Sequence, residues 1–65
     1  MTTYPLIGDY TAFTSEERQS DHNAWRLKIV DSAGVPKVFL SNFDSEESAL
    51  WFAKGWSYAQ VYKHD

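Results

Sequence analysis

The chain has 65 residues, of which 43% are hydrophobic and 17% aromatic, and it contains no cysteine. This length fits one small domain, and the missing cysteines exclude both disulfides and a thiolate zinc site as sources of stability. Six basic residues against nine acidic ones give a net charge of −3, which excludes a general positive coat for nucleic acid.

The amino-terminal segment, residues 1–5 (MTTYP), has neither the basic start nor the apolar stretch of a secretory signal. The longest unbroken apolar run, residues 49–53, is five residues long. A bilayer-spanning helix needs about 20. We therefore expect a complete small gene product that is soluble, makes no contact with a membrane and resides in the cytoplasm.

Residues 1–23 are predicted to form a partly irregular amino-terminal arm. A short strand is expected from Tyr4 to Ile7, interrupted by Pro5. Residues 14–17 (TSEE) have the capping-box pattern of a helix start. We therefore expect one or two helical turns in the second half of the arm.

Residues 24–41 are predicted to form a β-hairpin, because apolar and basic residues alternate from Trp25 to Ile29. Residues 31–34 (DSAG) have the composition of a four-residue loop. Pro36 has no amide donor, which places the second strand at a sheet edge or makes its start irregular. If Val30 pairs with Val35, the further predicted pairs are Leu27 with Val38, Trp25 with Leu40, Arg26 with Phe39, and Lys28 with Lys37.

A helix is predicted over residues 44–55. Asp44 and Glu47 have the spacing of reciprocal capping partners, and Gly55 is expected to end the helix. Trp51 points outward on the face that also carries Glu47 and Lys54, so core packing does not explain it. The predicted apolar face consists of Ala49, Phe52, Ala53 and Trp56, with Leu50 at its margin.

Residues 57–63 alternate again and are predicted to form a last strand. The predicted fold class is therefore α+β: a single small domain with an antiparallel hairpin, one helix packed on the sheet and a carboxy-terminal strand. The expected core consists of Trp25, Leu27, Ile29, Val38, Leu40, Phe52, Ala53 and Trp56.

No motif in the chain indicates catalysis. His22 and His64 are isolated from further ligands, so we interpret both as surface histidines and expect no metal or cofactor. Residues 55–59 (GWSYA) resemble a nucleophile elbow only superficially, since they lack the final glycine. A domain of this size is also too small to enclose a substrate pocket, and we expect a protein that is not an enzyme.

Two charged surfaces are candidates for binding. Carboxylates on a folded surface can take the positions of phosphates and engage basic side chains of a nucleic-acid-binding protein. Acids also favour helix starts and solubility for purely structural reasons. The acidic candidates form two sequence clusters: Asp9, Glu16, Glu17 and Asp21, and Asp44, Glu46 and Glu47.

The second candidate surface is the outward side of the hairpin. It carries Arg26, Lys28, Lys37 and Phe39, and residues 26–40 have a net charge of +2. Cations and an aromatic ring on a sheet face can contact phosphates and a base. Ordinary solvation of an amphipathic strand, with a cation–π pair between Arg26 and Phe39, is the structural alternative.

The acidity, the lack of cysteine and the paired acidic segments resemble small phage and mobile-element proteins that inhibit type I CRISPR complexes. This resemblance implies an inhibitor that mimics nucleic acid and blocks DNA binding by a host defence complex. In pattern, the segment from Trp25 to Trp51 also resembles the arm-binding domains of phage integrases, which read DNA with a sheet.

We therefore predict an acidic inhibitor, present as a monomer or weak homodimer, that binds a host nucleic-acid-binding defence protein and no nucleic acid directly. The alternatives are a module that reads nucleic acid through the basic sheet face, and a homo-oligomer formed through Trp51 and open sheet edges. The predicted partner-binding residues are Asp9, Glu16, Glu17, Asp21, Asp44, Glu46, Glu47 and Trp51.

Overall fold

The fold is a four-stranded antiparallel sheet with one long helix packed across one of its faces. A computed structural model describes residues 2–18, 21 and 23–63. The strands lie in the order in which they occur in the chain, so every connection joins neighbours. The elements are β1 (Thr2–Pro5), a 3-10 helix (Ile7–Asp9), β2 (Thr11–Arg18), β3 (Asn23–Val30), β4 (Pro36–Phe43) and α1 (Glu46–Val61). The α+β prediction is confirmed.

The amino-terminal arm is part of the sheet, and the helical turns predicted there are wrong. Residues 14–17 lie within β2, which pairs with β1 on one side and with β3 on the other. The alternation of Ala12 and Thr14, both buried, with half-buried Phe13 and Ser15 gives this segment a strand period. The capping pattern was therefore outweighed by pairing with β3.

The hairpin of β3 and β4 is confirmed, but its predicted register is wrong: by two residues from Leu27 to Ile29, by one at Val30, which pairs with Pro36, and by three at Trp25, which pairs with Phe43. Leu27 pairs with Leu40 and Ile29 with Val38. The connecting loop is longer than predicted, because the Asp31 carboxylate accepts hydrogen bonds from the backbone amides of both Ala33 and Val35, at 2.9 Å each. Between the two register shifts, from Leu27 to Ile29, a shift of two residues keeps the side chains on their predicted faces of the sheet.

Irregularities in β4 occur near both ends of its pairing with β3. One register shift lies where Val30 meets Pro36, which begins an edge strand as expected for a residue without an amide donor. The other precedes the pair of Trp25 with Phe43, where Asn42 has φ 70°. These bulges bend the edge strand and increase its twist.

The helix is longer than predicted and absorbs the segment that was predicted as a last strand. Its N-cap is Ser45, which accepts a hydrogen bond from the backbone amide of Ser48 at 3.1 Å, and not Asp44. Gly55 lies inside α1 instead of ending it. The helix continues to Val61, so the strand over residues 57–63 is wrong.

The core between α1 and the sheet contains small residues on the helix side. Leu27 and Ile29 are completely buried and pack against Ala49 and Ala53. Of the other predicted core residues, Val38 and Trp56 are half-buried around this cluster, and Trp25 is also half-buried. Leu40 and Phe52 are about two-fifths exposed, at 39% and 41%, so their assignment to the core is wrong.

The carboxy-terminal part of α1 is held close to the 3-10 helix by Gly8. A Cβ atom at this position would stand 2.5 Å from Cγ2 of Val61, and Gly8 has φ 73°. Both the left-handed backbone and the lack of space require glycine here. Nearby, the ring of Tyr10 packs edge-on against Trp56, with centroids 5.0 Å apart.

Candidate binding surfaces

The fold brings the two acidic sequence clusters together at one end of the sheet. β2 ends there, Asp21 lies between β2 and β3, and α1 begins there immediately after β4. Glu16 pairs with Trp25, which in turn pairs with Phe43, next to Asp44. We call this region the acidic end, and it comprises Glu16, Glu17, Asp21, Asp44, Glu46 and Glu47.

One member of the acidic end, Glu46, is used to attach α1 to the sheet. Its carboxylate accepts hydrogen bonds from the Tyr4 hydroxyl at 3.1 Å and from Thr14 Oγ1 at 2.9 Å. Desolvation, together with the hydrogen bond and charge of Glu46, raises the pKa of Tyr4 above its ordinary value. Glu46 therefore has a structural role, which limits its availability to a partner.

Two other acids of this end have partners on β3. Glu17 and Arg26 form a bidentate pair, in which Arg26 Nε donates to Oε2 at 2.9 Å. This hydrogen bond lowers the pKa of Glu17 and raises that of Arg26. Glu16 accepts a hydrogen bond from Asn23 at 3.1 Å and remains exposed. Asp44 and Glu47 are exposed as well.

Asp9 does not belong to the acidic end. It lies before β2, beside the loop of the β3–β4 hairpin, because Thr11 pairs with Val30 at that end of the sheet. Asp31 occupies the same region, where its pKa is lowered chiefly by the hydrogen bond from the Val35 amide, with smaller contributions from Ala33 and Lys37. Of the predicted acidic residues, Asp9 alone is therefore separated from the others.

The outer face of the sheet, which α1 leaves uncovered, carries a row of aromatic and basic side chains. Lys28 pairs with Phe13 on one side and with Phe39 on the other. Its Nζ atom lies 5.7 Å from the centroid of the Phe13 ring, and Phe39 is 63% exposed. Together with Ser15 and Arg26 they line a shallow hollow of about 230 Å³.

The basic side chains of this outer face are less available to contact phosphates than the sequence indicated. Arg26 forms an ion pair with Glu17 instead of the predicted cation–π pair with Phe39. Lys37 Nζ lies 3.8 Å from Asp31 Oδ2. Lys28 faces Phe39 where Lys37 was predicted. The outer face therefore combines two aromatic rings with cations that are partly neutralised by neighbouring carboxylates.

The outward side of α1, together with its C-cap residue Tyr62, carries three large aromatic residues. Trp51 is 68% exposed, as predicted, and Tyr58 and Tyr62 are 60% and 56% exposed. At about 100° per residue these three positions share one stripe, opposite the buried Ala49, Ala53 and Ser57. Sequence reasoning missed the two tyrosines because it assigned them to a strand. A helical period continued through Gly55 would have found them.

The contacts within this stripe are local. Lys54 Nζ lies 5.7 Å from the centroid of the Trp51 ring, and the rings of Tyr58 and Tyr62 are 4.4 Å apart. Gly55 lies among them, and a Cβ atom added there would meet nothing within 4 Å. We call Glu47, Trp51, Gly55, Tyr58 and Tyr62 the outward stripe.

The residues that could serve as metal ligands are dispersed in the described part of the chain. Within residues 2–18, 21 and 23–63, no group of three or more His, Cys, Asp or Glu side chains is arranged to hold a metal ion. Ser57 is buried inside α1, where its hydroxyl donates to the Lys54 carbonyl at 3.0 Å. The predictions for His22 and His64 lie outside the described residues.

Across the part of the chain that the structure describes, none of the helices is long and apolar enough to cross a membrane.

Comparisons with protein-family models, with curated proteins and with solved structures find no match for this chain.

Proposed function

We propose that the protein is a non-enzymatic inhibitor of the phage type, which binds a host nucleic-acid-binding defence protein through the acidic end and blocks its binding to DNA. The observation that supports this proposal is the convergence of two separate acidic segments on one end of the fold. Fixed carboxylates on a rigid scaffold attract a basic surface and orient it.

The charge balance of the acidic end also supports the proposal. Six carboxylates lie there, and the described basic residues close to them are Arg18 and Arg26. Arg26 is already engaged by Glu17. The partner would first contact the exposed members of the acidic end, which are Glu16, Asp21, Asp44 and Glu47. Glu46 contributes indirectly, because its hydrogen bond with Thr14 holds the start of α1 against β2.

Two charge-matched variants test the proposal. Glu16→Gln with Asp44→Asn neutralises the acidic end, whereas Asp9→Asn with Asp31→Asn neutralises the opposite end. Either pair removes two negative charges from the net −3 and leaves −1. Immobilised parent and variants are exposed to a bacterial lysate, with and without excess duplex DNA, and the retained proteins are identified.

We expect the parent and the Asp9/Asp31 variant to retain a nucleic-acid-binding protein that duplex DNA displaces, and the Glu16/Asp44 variant to lose it. Circular dichroism checks that both variants are folded. Equal retention by both variants, or retention that duplex DNA does not affect, would show that the acidic end is not the binding surface.

The row formed by Phe13, Lys28 and Phe39 favours a second candidate function, binding of single-stranded nucleic acid on the outer sheet face. The exposed ring of Phe39 and the half-buried ring of Phe13 can stack on bases while Lys28 contacts the phosphate between them. Binding of nucleic acid requires positive charge on this face. Arg26 and Lys37 are paired with the carboxylates of Glu17 and Asp31, which weakens their contribution.

Titration of labelled single-stranded and duplex DNA separates the two functions. The inhibitor function predicts no binding at moderate salt, because the acidic end repels a polyanion. Micromolar binding that weakens steeply with salt, and that Phe39→Ala abolishes, would instead support the sheet-face function.

A further inference from the structure

We propose that Glu47 and Trp51 form an arginine site, in which a guanidinium group of the partner protein stacks on the indole ring and pairs with the carboxylate. The inference rests on the proposed function, because the partner is the basic surface that binds the acidic end. It names the side chain which that surface supplies. It also extends the interface along α1, since Glu47 belongs to both the acidic end and the outward stripe.

The ring of Trp51 is the part of this site that the fold itself does not use. Its side chain is 68% exposed, the largest exposed fraction among the large hydrophobic residues that the structure describes. The contact of α1 with the core is made on the opposite side, by Ala49 and Ala53. Tryptophan attracts a cation to the face of its ring more strongly than the other aromatic side chains do. An exposed ring next to carboxylates therefore favours a cationic partner.

The Trp51 ring already attracts a cation from its own chain. Lys54 Nζ lies 5.7 Å from the ring centroid, within the range of about 6 Å for a cation–π interaction. Lys54 is itself exposed, and its ammonium is a flexible and strongly hydrated charge. A planar, weakly hydrated guanidinium can displace it from the ring. Lys54 is thus a stand-in, within the single chain, for the cation that the partner brings.

Glu47 provides a carboxylate beside the ring. It stands four residues before Trp51 on α1, so the two side chains are neighbours on the helix surface, with Cβ atoms about 5–6 Å apart. Long helical side chains lean toward the start of the helix, which is the side of Trp51 on which Glu47 lies. Glu47 is exposed, and among the described residues it forms no ion pair. One guanidinium can therefore reach both groups.

The acidic end contains an example of a carboxylate that binds a guanidinium. Glu17 and Arg26 form a bidentate pair on neighbouring strands. Glu17 is thereby occupied by an arginine of its own chain, and Glu46 is occupied by the hydroxyl groups of two residues of the sheet. Glu47 has neither kind of contact in the described part of the chain and has an exposed ring one turn away. It is therefore available to an arginine from outside.

The combination of ring and carboxylate favours arginine over lysine. A guanidinium stacks on an aromatic ring and donates two parallel hydrogen bonds to a carboxylate, whereas an ammonium does neither. Surfaces that bind DNA use arginine to contact phosphates and guanine edges. An inhibitor that covers such a surface meets these arginines. The site would hold one of them and so remove it from DNA.

Titration with two peptides of equal charge, deca-arginine and deca-lysine, tests the arginine site. The isotope-labelled full chain is titrated with each peptide at moderate salt and followed by NMR. The indole N–H signal of Trp51 is identified by its loss in Trp51→Leu. We expect the parent to bind deca-arginine about three- to tenfold more tightly than deca-lysine, with a shift of the Trp51 signal. Trp51→Leu and Glu47→Gln should each lose most of this preference.

Two variants are matched controls for these substitutions. Phe39→Leu removes an aromatic ring that is 63% exposed, but on the outer face of the sheet. Asp9→Asn removes one negative charge, as Glu47→Gln does, but from the opposite end of the fold. Both variants should keep the preference for deca-arginine. Circular dichroism verifies that every variant is folded.

Equal affinity of the parent for the two peptides, no binding of deca-arginine, or an unchanged preference in Trp51→Leu would overturn the arginine site. The proposed function is decided separately by the lysate experiment, whose variants leave Glu47 and Trp51 in place. Loss of a DNA-displaceable protein from the Glu16/Asp44 variant supports the acidic end even if the two peptides bind alike. Failure of the arginine site and failure of the proposed function are therefore distinguishable.

Discussion

The two sides of α1 differ in a way that reverses the usual distribution of side-chain size. The inward side presents Ala49, Ala53 and Ser57, all essentially buried, while the outward side presents Trp51 and the tyrosines at 58 and 62. Small inward residues let the helix lie close to Leu27 and Ile29 of the sheet. The single chain therefore folds with Trp51, Tyr58 and Tyr62 exposed and available to a partner, whereas Trp56, the other tryptophan of α1, is half-buried against the core.

This contrast predicts that stability depends on the residues beneath the inward side. Leu27→Ala removes a completely buried side chain and should lower the free energy of unfolding by about 2–5 kcal/mol. Because a domain of this size has only a few kcal/mol of stability in total, the variant should be largely unfolded at ambient temperature. Urea denaturation followed by circular dichroism measures the change.

Leu40→Ala is the matched control for this prediction, since Leu40 pairs with Leu27 but is 39% exposed. Its loss should be clearly smaller than that of Leu27. Equal losses would mean that the core extends across β4 and that the contrast between the two sides is wrong.

The second prediction concerns the close approach of α1 to the 3-10 helix. Gly8→Ala places a Cβ atom in a left-handed backbone conformation and against Val61, so we expect a loss of about 1–2 kcal/mol. Thermal unfolding should show a lower midpoint than the parent. An unchanged midpoint would mean that the end of α1 does not pack as described.

Gly55→Ala should stabilise the protein, in contrast to Gly8→Ala. The position is helical and open, so alanine removes backbone freedom from the unfolded chain without any clash. We expect the free energy of unfolding to rise by about 0.5–1 kcal/mol when it is measured by urea titration at concentrations where the chain is monomeric. A destabilised Gly55→Ala monomer would show that Gly55 has an internal packing role.

The smallest effect is expected at Trp51. Its side chain is 68% exposed, and its ring is in contact with the Lys54 ammonium on the same helix. Trp51→Ala should therefore change the free energy of unfolding of the monomer by no more than about 0.5 kcal/mol in urea titrations. A loss comparable to that of Leu27→Ala would place Trp51 in the core of the single chain.

The sequence correctly predicted those elements in which a hydrophobic pattern repeats over several residues. The alternation in β3 placed Leu27 and Ile29 on the buried face, and the helical period placed Trp51 outward, both as the structure has them. The errors arose where a short sequence signal, such as a capping pattern or a single glycine, conflicted with the structure of the longer segment around it. Residues 14–17 carry a capping pattern inside a strand, and Gly55 resembled a helix end although the helix continues for six residues beyond it, to Val61.

The sequence predicted the segments that contribute to the candidate surfaces, but not how these segments come together. Sequence spacing identified two acidic segments, but their convergence depends on the strand order, which places the end of β2 beside the start of α1. The structural role of Glu46 and the pairing of Glu17 with Arg26 depend on contacts between residues far apart in sequence or on neighbouring strands. No local pattern contains that information.

Urea denaturation of two single variants tests the central claim, that α1 is held to the sheet by its small inward side while its outward side contributes little to the fold. Ala53 is completely buried in the core cluster, whereas Trp51 is 68% exposed. We predict that Ala53→Gln unfolds at a much lower urea concentration than the parent, because a longer polar side chain cannot be accommodated there. Trp51→Gln should unfold at nearly the same urea concentration as the parent. Equal destabilisation by the two substitutions would contradict the account.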